Sequence, residues 1–253
     1  VIKSISGCSA VIHLAARGSV NDSILSPEEN FEVNVRGTFN VLNQARLSSV
    51  KNVIFSSTGG AIMGDTSPPV NELSLPSPIS PYGSSKLCGE AYCSSFANVY
   101  KMNITSLRFS NVIGPMSWHK KGAVSAFMKA ILNKNSIKIY GDGNATRDFL
   151  YVKDLCEGII LALNHELKGY NTFHLSSGEE VSVNKLAHQI CKSAKVNKFP
   201  VQYLEKRNGE VENNFADYSL ANKVIGFKPE TNFEDAINKT WKWFVAYNKS
   251  LIS

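Results

Sequence analysis

Short apolar runs separated by longer, capped helical stretches restrict the fold more than any other feature of this chain. Residues 10–15 (Ala-Val-Ile-His-Leu-Ala), 52–56 (Asn-Val-Ile-Phe-Ser) and 103–109 (Asn-Ile-Thr-Ser-Leu-Arg-Phe) have the composition of strands buried on both faces. Between the first two, residues 27–48 predict a helix with Ser26 as cap, Pro27 first, and Glu28 and Glu29 in the first turn. A second helix is predicted from Tyr82 to about Lys101. Ser80 caps it, and Pro81 takes the first position, where its missing N–H costs nothing. This alternation builds a parallel sheet with helices on both faces.

Beyond Gly114-Pro115 the elements shorten. Helices are expected over 123–132, 153–164, 183–194, 220–225 and 233–247, and extended segments over 136–140, 147–151, 171–175 and 201–204, with a turn at Gly141-Asp142-Gly143. A loop rich in Gly, Pro and Ser spans residues 58–81. The pattern reads as a main sheet domain with a smaller C-terminal lobe and a cleft between them.

Three residue types with paired chemistry stand at the ends of these elements. Ser56-Ser57-Thr58 closes the second strand, and Tyr82 and Lys86 open the second helix. A Tyr-x-x-x-Lys pair on a helix shares one face, one turn apart. A cation near a phenol favours the phenolate, so Lys86 is expected to lower the Tyr82 pKa from its usual value near 10. Such a phenol can take a proton from a hydroxyl while hydride leaves the same carbon, with a Ser or Thr hydroxyl bonded to the reacting oxygen. The bland reading of the pair is a solvated helix face. Against it, Tyr82 alone of the nine tyrosines has Lys at that spacing.

With 253 residues, 43% hydrophobic and 19% charged, the chain reads as an ordinary soluble globular protein, without an apolar run long enough to span a bilayer. Five scattered cysteines without Cys-x-x-Cys or Cys/His clustering suggest free thiols, a cytoplasmic location and no metal site. The net charge of +6 admits an anionic partner. Without a long basic run or an RNP-like aromatic pattern, that partner is expected to be a phosphorylated small molecule and not nucleic acid.

A nucleotide-binding α/β sheet normally opens with Gly-x-x-Gly-x-x-Gly, and no such run is present. The expectation is that the sequence is a fragment, with the pyrophosphate loop and the acidic residue for the adenosine ribose upstream. The ordered runs His13-Leu-Ala-Ala16, Asn34-Val-Arg-Gly-Thr38, Ser56 to Gly64, Pro81 to Lys86, Arg108 to Pro115, Tyr140 to Gly143, Arg147 to Asp154 and Arg207-Asn-Gly-Glu210 resemble the extended short-chain dehydrogenase/reductases, especially nucleotide-sugar epimerases of the UDP-glucose 4-epimerase type. The resemblance runs from about Ser9 to Tyr247.

It implies an α/β, Rossmann-like doubly wound parallel sheet, with residues 1–115 an incomplete NAD-binding domain. Residues 116–253 would be mainly a nucleotide-sugar-binding lobe, with segments around 145–175 returning to the main domain. It implies NAD as cofactor, a UDP-hexose as substrate and a homodimer. Tyr82 would be the base, Lys86 the ribose-binding cation and Thr58 the hydroxyl partner. Leu14, Ala15, Ala16, Asn34, Ser56 and Ser57 would line the cofactor. Asn111, Tyr140, Arg147, Arg207 and Glu210 would hold the sugar nucleotide, the arginines because a planar fork binds phosphate oxygens bidentately. Asn214 would gate substituents at the sugar C2. Each role has a plainer competitor: His13 as a hydrogen-bonded core histidine, Asn34 satisfying helix backbone, Arg147 paired with Asp148, Asp154 as a helix-start acid, Tyr140 as core, Arg207 on a solvated face.

The resemblance has departures. Met63 and Phe149 stand where relatives carry Tyr, and both are expected to tune the pocket. Gly59-Gly60 follow Thr58 where sugar 4,6-dehydratases carry an Asp-Glu pair, which argues for epimerisation over dehydration. Another reductase or epimerase of the family, or a non-catalytic sugar-nucleotide-binding or dimer-forming fragment, are the alternatives.

Overall fold

In the computed structural model, residues 2–207 and 211–252 are described. The chain runs through α1 (Ile2–Ile5), β1 (Ala10–His13), α2 (Val20–Leu25), α3 (Pro27–Phe31), a π-helical turn (Glu32–Arg36), α4 (Gly37–Leu47), β2 (Asn52–Thr58), α5 (Pro81–Tyr100) and β3 (Asn103–Phe109). It continues through β4 (Asn111–Ile113), α6 (Ala123–Leu132), β5 (Ile137–Tyr140), β6 (Thr146–Arg147), β7 (Phe149–Tyr151), α7 (Val152–Asn164) and β8 (Tyr170–Leu175). The last elements are β9 (Val181–Ser182), α8 (Val183–Ser193), β10 (Val201–Leu204), α9 (Ser219–Ile225) and α10 (Phe233–Ile252).

Four strands form an all-parallel sheet in the order β1-β2-β3-β8. Because side chains alternate along a strand, the sheet has two apolar faces. Val53, Phe55 and Ile104 pack on Leu42 and Ala45 of α4 and on Cys93, Phe96 and Ala97 of α5. Ile54, Leu107, Phe173 and Leu175 pack on Leu155 and Ile159 of α7 and on Ala221 and Ile225 of α9. A third core joins α6, α8 and α10 around Phe127, Met128, Leu186, Ile190, Ile237 and Phe244. Two-stranded pairs link this lobe internally: β4 with β7, β5 with β10, and β6 with β9.

The helix expected over 27–48 is interrupted. Ser26 makes no side-chain cap bond, α3 ends at Phe31, and five residues adopt a π-helical turn before α4. π-turns of this kind insert one extra residue and often mark functional positions. Here the turn buries Asn34. The preceding short helix, α2, has no counterpart in the sequence reading, and β1 stops at His13, so that residues 14–19 form a loop.

Two glycines let α5 lie close to its neighbours. A Cβ on Gly83 would stand 2.0 Å from the Ala61 carbonyl oxygen, and one on Gly89 would stand 2.5 Å from the Phe55 ring. Gly89→Ala is therefore expected to destabilise the fold by about 1–3 kcal/mol through overpacking, measurable as a lower urea midpoint at unchanged slope.

Histidines are buried uncharged on the α5 face of the sheet. His13 shares a 3.1 Å hydrogen bond between Nε2 and Thr38 Oγ1, and burial, then the nearby Lys86 charge, lowers its pKa from 6.5 to about 4. The unfolded chain binds this proton below pH 6.5 while the folded chain refuses it until about pH 4. Stability is therefore complete above 6.5, falls as pH drops through that window, and levels off below it. The contribution is on the order of 3 kcal/mol. His13→Gln, which can still bond Thr38, is expected to flatten this part of a stability–pH curve measured by urea unfolding.

Candidate active site

The carboxyl ends of β2 and β3 and the first turn of α5 converge, and the paired chemistry of the sequence meets there. Ser80 caps α5 by accepting from the Gly83 N–H at 3.2 Å, and Ser23 Oγ of α2 accepts from the Tyr82 N–H at 3.1 Å. The first turn is thus fixed from two sides. The half-buried Tyr82 lies beside Thr58, at the last position of β2, whose hydroxyl acts on the phenol. One turn along, Lys86 is buried and donates from Nζ to the Ser56 carbonyl at 2.7 Å, its ammonium 5.1 Å from the centre of the Phe55 ring.

The pKa expectation for this pair requires correction. Burial pushes the Tyr82 phenol up to about 12, against a smaller opposite effect of the Thr58 hydroxyl. Lys86 does not lower it in the chain alone, because its ammonium is turned to the Ser56 carbonyl. Burial also lowers Lys86, to about 8. Desolvation disfavours the charged form of each group.

The residues expected to line a cofactor divide into two sets. Leu14, Ala15 and Ala16 are exposed in the loop beyond β1, a small apolar strip beside the sheet end. Asn34 is buried and shapes that loop: its Oδ1 accepts from the Arg17 N–H at 2.8 Å, and its Nδ2 donates to the Arg17 carbonyl at 3.1 Å and to Ser85 Oγ at 3.0 Å. It satisfies the backbone of a distant loop and not of its own helix. Ser56 and Ser57 turn their hydroxyls inward, Ser56 to the His13 carbonyl at 2.9 Å and Ser57 to Glu90 Oε1 at 2.6 Å. Their hydroxyls hold the site together instead of facing a ligand. A flat apolar strip, a buried ammonium and a phenol–hydroxyl pair suit the nicotinamide and ribose end of a dinucleotide. Lys86 and the strip would hold it, and Asn34 would hold the strip.

The residues expected to hold the sugar nucleotide come from later elements of the chain. Asn111 opens β4, is exposed, and donates its backbone N–H to the Asp148 carbonyl at 2.9 Å. Arg147 donates from Nη1 to the Thr146 carbonyl at 2.7 Å and the Glu212 carbonyl at 2.9 Å. The local pairing of Arg147 with Asp148 is replaced by another arrangement: the buried Asp148 carboxylate accepts from Ser177 N–H, Ser177 Oγ and Gly178 N–H. The Arg207 guanidinium lies 3.5 Å from the centre of the Tyr140 ring, so these two are a stacked pair. Glu210 lies outside the described residues. Asp154, in the first turn of α7, is buried and accepts from Thr231 N–H at 3.0 Å and Oγ1 at 3.2 Å, tying two segments together.

Other expectations shift from pocket to core. Met63 is fully buried among Ile62, Val70 and Ala216, and Phe149 packs on Phe233, so neither tunes a pocket surface. Asn214 is buried, donates its backbone N–H to the Thr146 carbonyl at 3.2 Å, and packs on Gly60, whose Cβ would come within 2.9 Å of its Oδ1. Sequence reasoning missed Ser23, Glu90 and Arg108. Glu90 follows Lys86 at helical spacing, which was the available signal. Among the described residues no group of three His, Cys, Asp or Glu side chains could hold a metal ion, and no helix is long and apolar enough to cross a membrane.

Comparison with known proteins matches residues 1–175 to the NAD dependent epimerase/dehydratase family. The chain is 31% identical over 236 residues to UDP-glucuronate 4-epimerase of Thermodesulfobacterium geofontis, covering 93% of this chain and 72% of the relative. It is 32% identical over 238 residues to UDP-glucose 4-epimerase of Mycolicibacterium smegmatis, covering 92% and 75%. In structure it is similar to UDP-glucose 4-epimerase of Thermotoga maritima with UDP-glucose, with a TM-score of 0.92 and 33% identity over 99% of this chain and 80% of that one. The shared sheet, the ordered motifs and the Thr58–Tyr82–Lys86 arrangement lead to one assignment: the chain belongs to the NAD dependent epimerase/dehydratase family, as an NAD-dependent enzyme of nucleotide-sugar 4-epimerase type.

Proposed function

We propose that the protein epimerises a UDP-hexose at C4 through a transient 4-keto sugar, with Tyr82 as the base. The observation that carries this reading is the placing of Tyr82 beside Thr58 at the sheet's carboxyl edge, with Lys86 one turn behind on the Ser56 carbonyl. Thr58 holds the reacting C4 oxygen within reach of the phenol, and the phenol moves the proton between that oxygen and itself. NAD held by Lys86 and the strip from Leu14 to Ala16 would supply hydride-transfer chemistry at C4 and a positive charge that favours the phenolate. Lys86, already desolvated, orients the cofactor ribose. Residues 1–115 serve as the NAD-binding part, and 116–253 mainly as the sugar-nucleotide lobe, with 145–175 partly returning to the main part.

Arg147 and Arg207 neutralise the diphosphate and Glu210 accepts from the nucleotide ribose, with Tyr140 beside the base and Asn111 near the diphosphate. The carbonyl bonds that hold Arg147 support its share, since they leave the guanidinium oriented before a ligand arrives. Gly59 and Gly60 support epimerisation over dehydration. A Cβ at either would come within 2.9 Å of His174 or Asn214, so an acidic pair there would displace both. The relatives' names include UDP-glucose and UDP-glucuronate, and the inward-packed Asn214 supports a pocket without a bulky gate at C2.

Association is the third part of the reading. Phe39 and Leu47 of α4 and Tyr92, Val99 and Tyr100 of α5 are exposed on adjoining helices, with Phe39 and Tyr92 in edge-to-face contact. A second copy using the same helices would cover them in a two-fold dimer. Leu42 and Phe96 of the same helices belong to the core.

Tyr82→Phe is expected to lower kcat by at least ~10²-fold with UDP-sugar affinity unchanged within a few-fold. Turnover close to wild type would remove Tyr82 from the chemistry. Arg147→Ala is expected to weaken UDP binding measured by calorimetry by roughly tenfold or more, the loss of a charge-assisted hydrogen bond. Sedimentation equilibrium is expected to show a dimer at micromolar concentration that Val99→Glu dissociates, and a wild-type monomer would exclude this interface.

A further inference from the structure

Glu90 follows Lys86 by four residues on α5, the spacing at which a lysine and a glutamate on one helix face attract each other. They do not pair. Lys86 reaches the Ser56 carbonyl, and both Glu90 oxygens are taken by the strands. Oε1 accepts from Ser57 Oγ at 2.6 Å and from Arg108 Nε at 3.0 Å, and Oε2 accepts from Arg108 Nη2 at 2.8 Å. This two-pronged ion pair is almost fully desolvated, its side chains 7% and 6% exposed. Arg108 sits on β3 opposite Ser57 of β2 on one side and His174 of β8 on the other.

His13, His174, Cys93 and Tyr170 of this layer are uncharged near neutral pH. Burial and then the Lys86 charge lower His13 of β1 to about 4. Burial and then the Arg108 charge lower His174 of β8 to about 3. Burial raises the Cys93 thiol of α5 and pushes Tyr170 of β8 up to about 12. Glu72, in the loop before α5, is held up by burial and accepts from the His174 N–H at 2.7 Å. The carboxylate at helical spacing from Lys86 is thus Glu90, and Arg108 is the cation that holds it. In a desolvated layer a carboxylate left without a partner draws the nearest ammonium strongly.

We propose that Arg108 is a positioning residue: by gripping Glu90 against β2 and β3 it keeps that carboxylate off Lys86, leaving the ammonium for the cofactor ribose and the Tyr82 phenol. The inference rests on the cofactor-side role given to Lys86 above. Its test reads Lys86 directly and so stands apart from that role.

The experiment follows the Lys86 13Cε resonance with pH in lysine-labelled protein, together with steady-state kinetics on UDP-glucose. In Arg108→Met, Glu90 is released to Lys86. The Lys86 midpoint, about 8 in the wild type, is expected to rise by about one unit or more, as for a group gaining an opposite charge. The kcat is expected to fall roughly tenfold or more, as displaced catalytic groups do, with KM changed little. Adding Glu90→Gln to Arg108→Met removes the competing charge and is expected to return both midpoint and kcat to near wild type. A merely structural ion pair predicts the reverse, a double variant as impaired as the single. An unmoved Lys86 midpoint in folded Arg108→Met overturns the proposal. If that variant does not fold, the double variant decides. A double with wild-type-like midpoint and turnover supports the proposal, and one that is inactive or unfolded overturns it. Failure of the Lys86 role itself would appear separately, as wild-type turnover in Lys86→Met.

Discussion

The close approach of α5 to β2 is the constraint on which the rest of the site depends. A helix lies this near a strand only where side chains leave room, and Gly83 and Gly89 provide it, facing the Ala61 carbonyl and the Phe55 ring. With that room, three successive turns of one helix face meet the last three residues of one strand. Tyr82 reaches Thr58, Lys86 reaches the Ser56 carbonyl, and Glu90 reaches Ser57. Each contact fixes the rotation of the helix, so the three together fix it more firmly than packing of apolar faces alone.

Desolvation supplies the electrostatic character of the same layer. It holds Tyr82 as a neutral phenol, brings Lys86 toward neutrality and keeps His13 and His174 uncharged. A site prepared in this way responds strongly to one added charge, because field lines in a poorly polarisable layer are little screened. The oxidised nicotinamide of the family's cofactor brings such a charge. The chain by itself therefore rests with its proton on the phenol, which differs from the simple picture of a lysine activating a tyrosine.

The loops are tied to this layer by side chains instead of by sheet pairing. Asn34 emerges from a π-helical turn and holds both backbone groups of Arg17, which sets the course of the strip from Leu14 to Ala16. Asp148 collects three donors from Ser177 and Gly178, and Asp154 collects two from Thr231, so that two buried acids act as loop anchors. Carboxylates suit this task because each offers several acceptor positions to backbone N–H groups that would otherwise be buried without partners.

Local pattern determined much of this protein from its sequence. The strand at 103–109, the helix at 123–132 and the capped start of α5 follow from apolar runs, Pro81 and Ser80, because strand burial and helix capping are decided within a few residues. The ordered motifs carried the family, and Tyr82 with Lys86 were visible through their spacing. Tertiary structure decided what spacing leaves open. It broke the helix at 27–48 with a π-turn, turned Ser56 and Ser57 inward, buried Met63 and Phe149 in the core, and gave Glu90 to Arg108 instead of to Lys86. Those outcomes depend on groups far apart in the chain competing for the same few partners in a layer without water, and a local pattern carries no record of that competition.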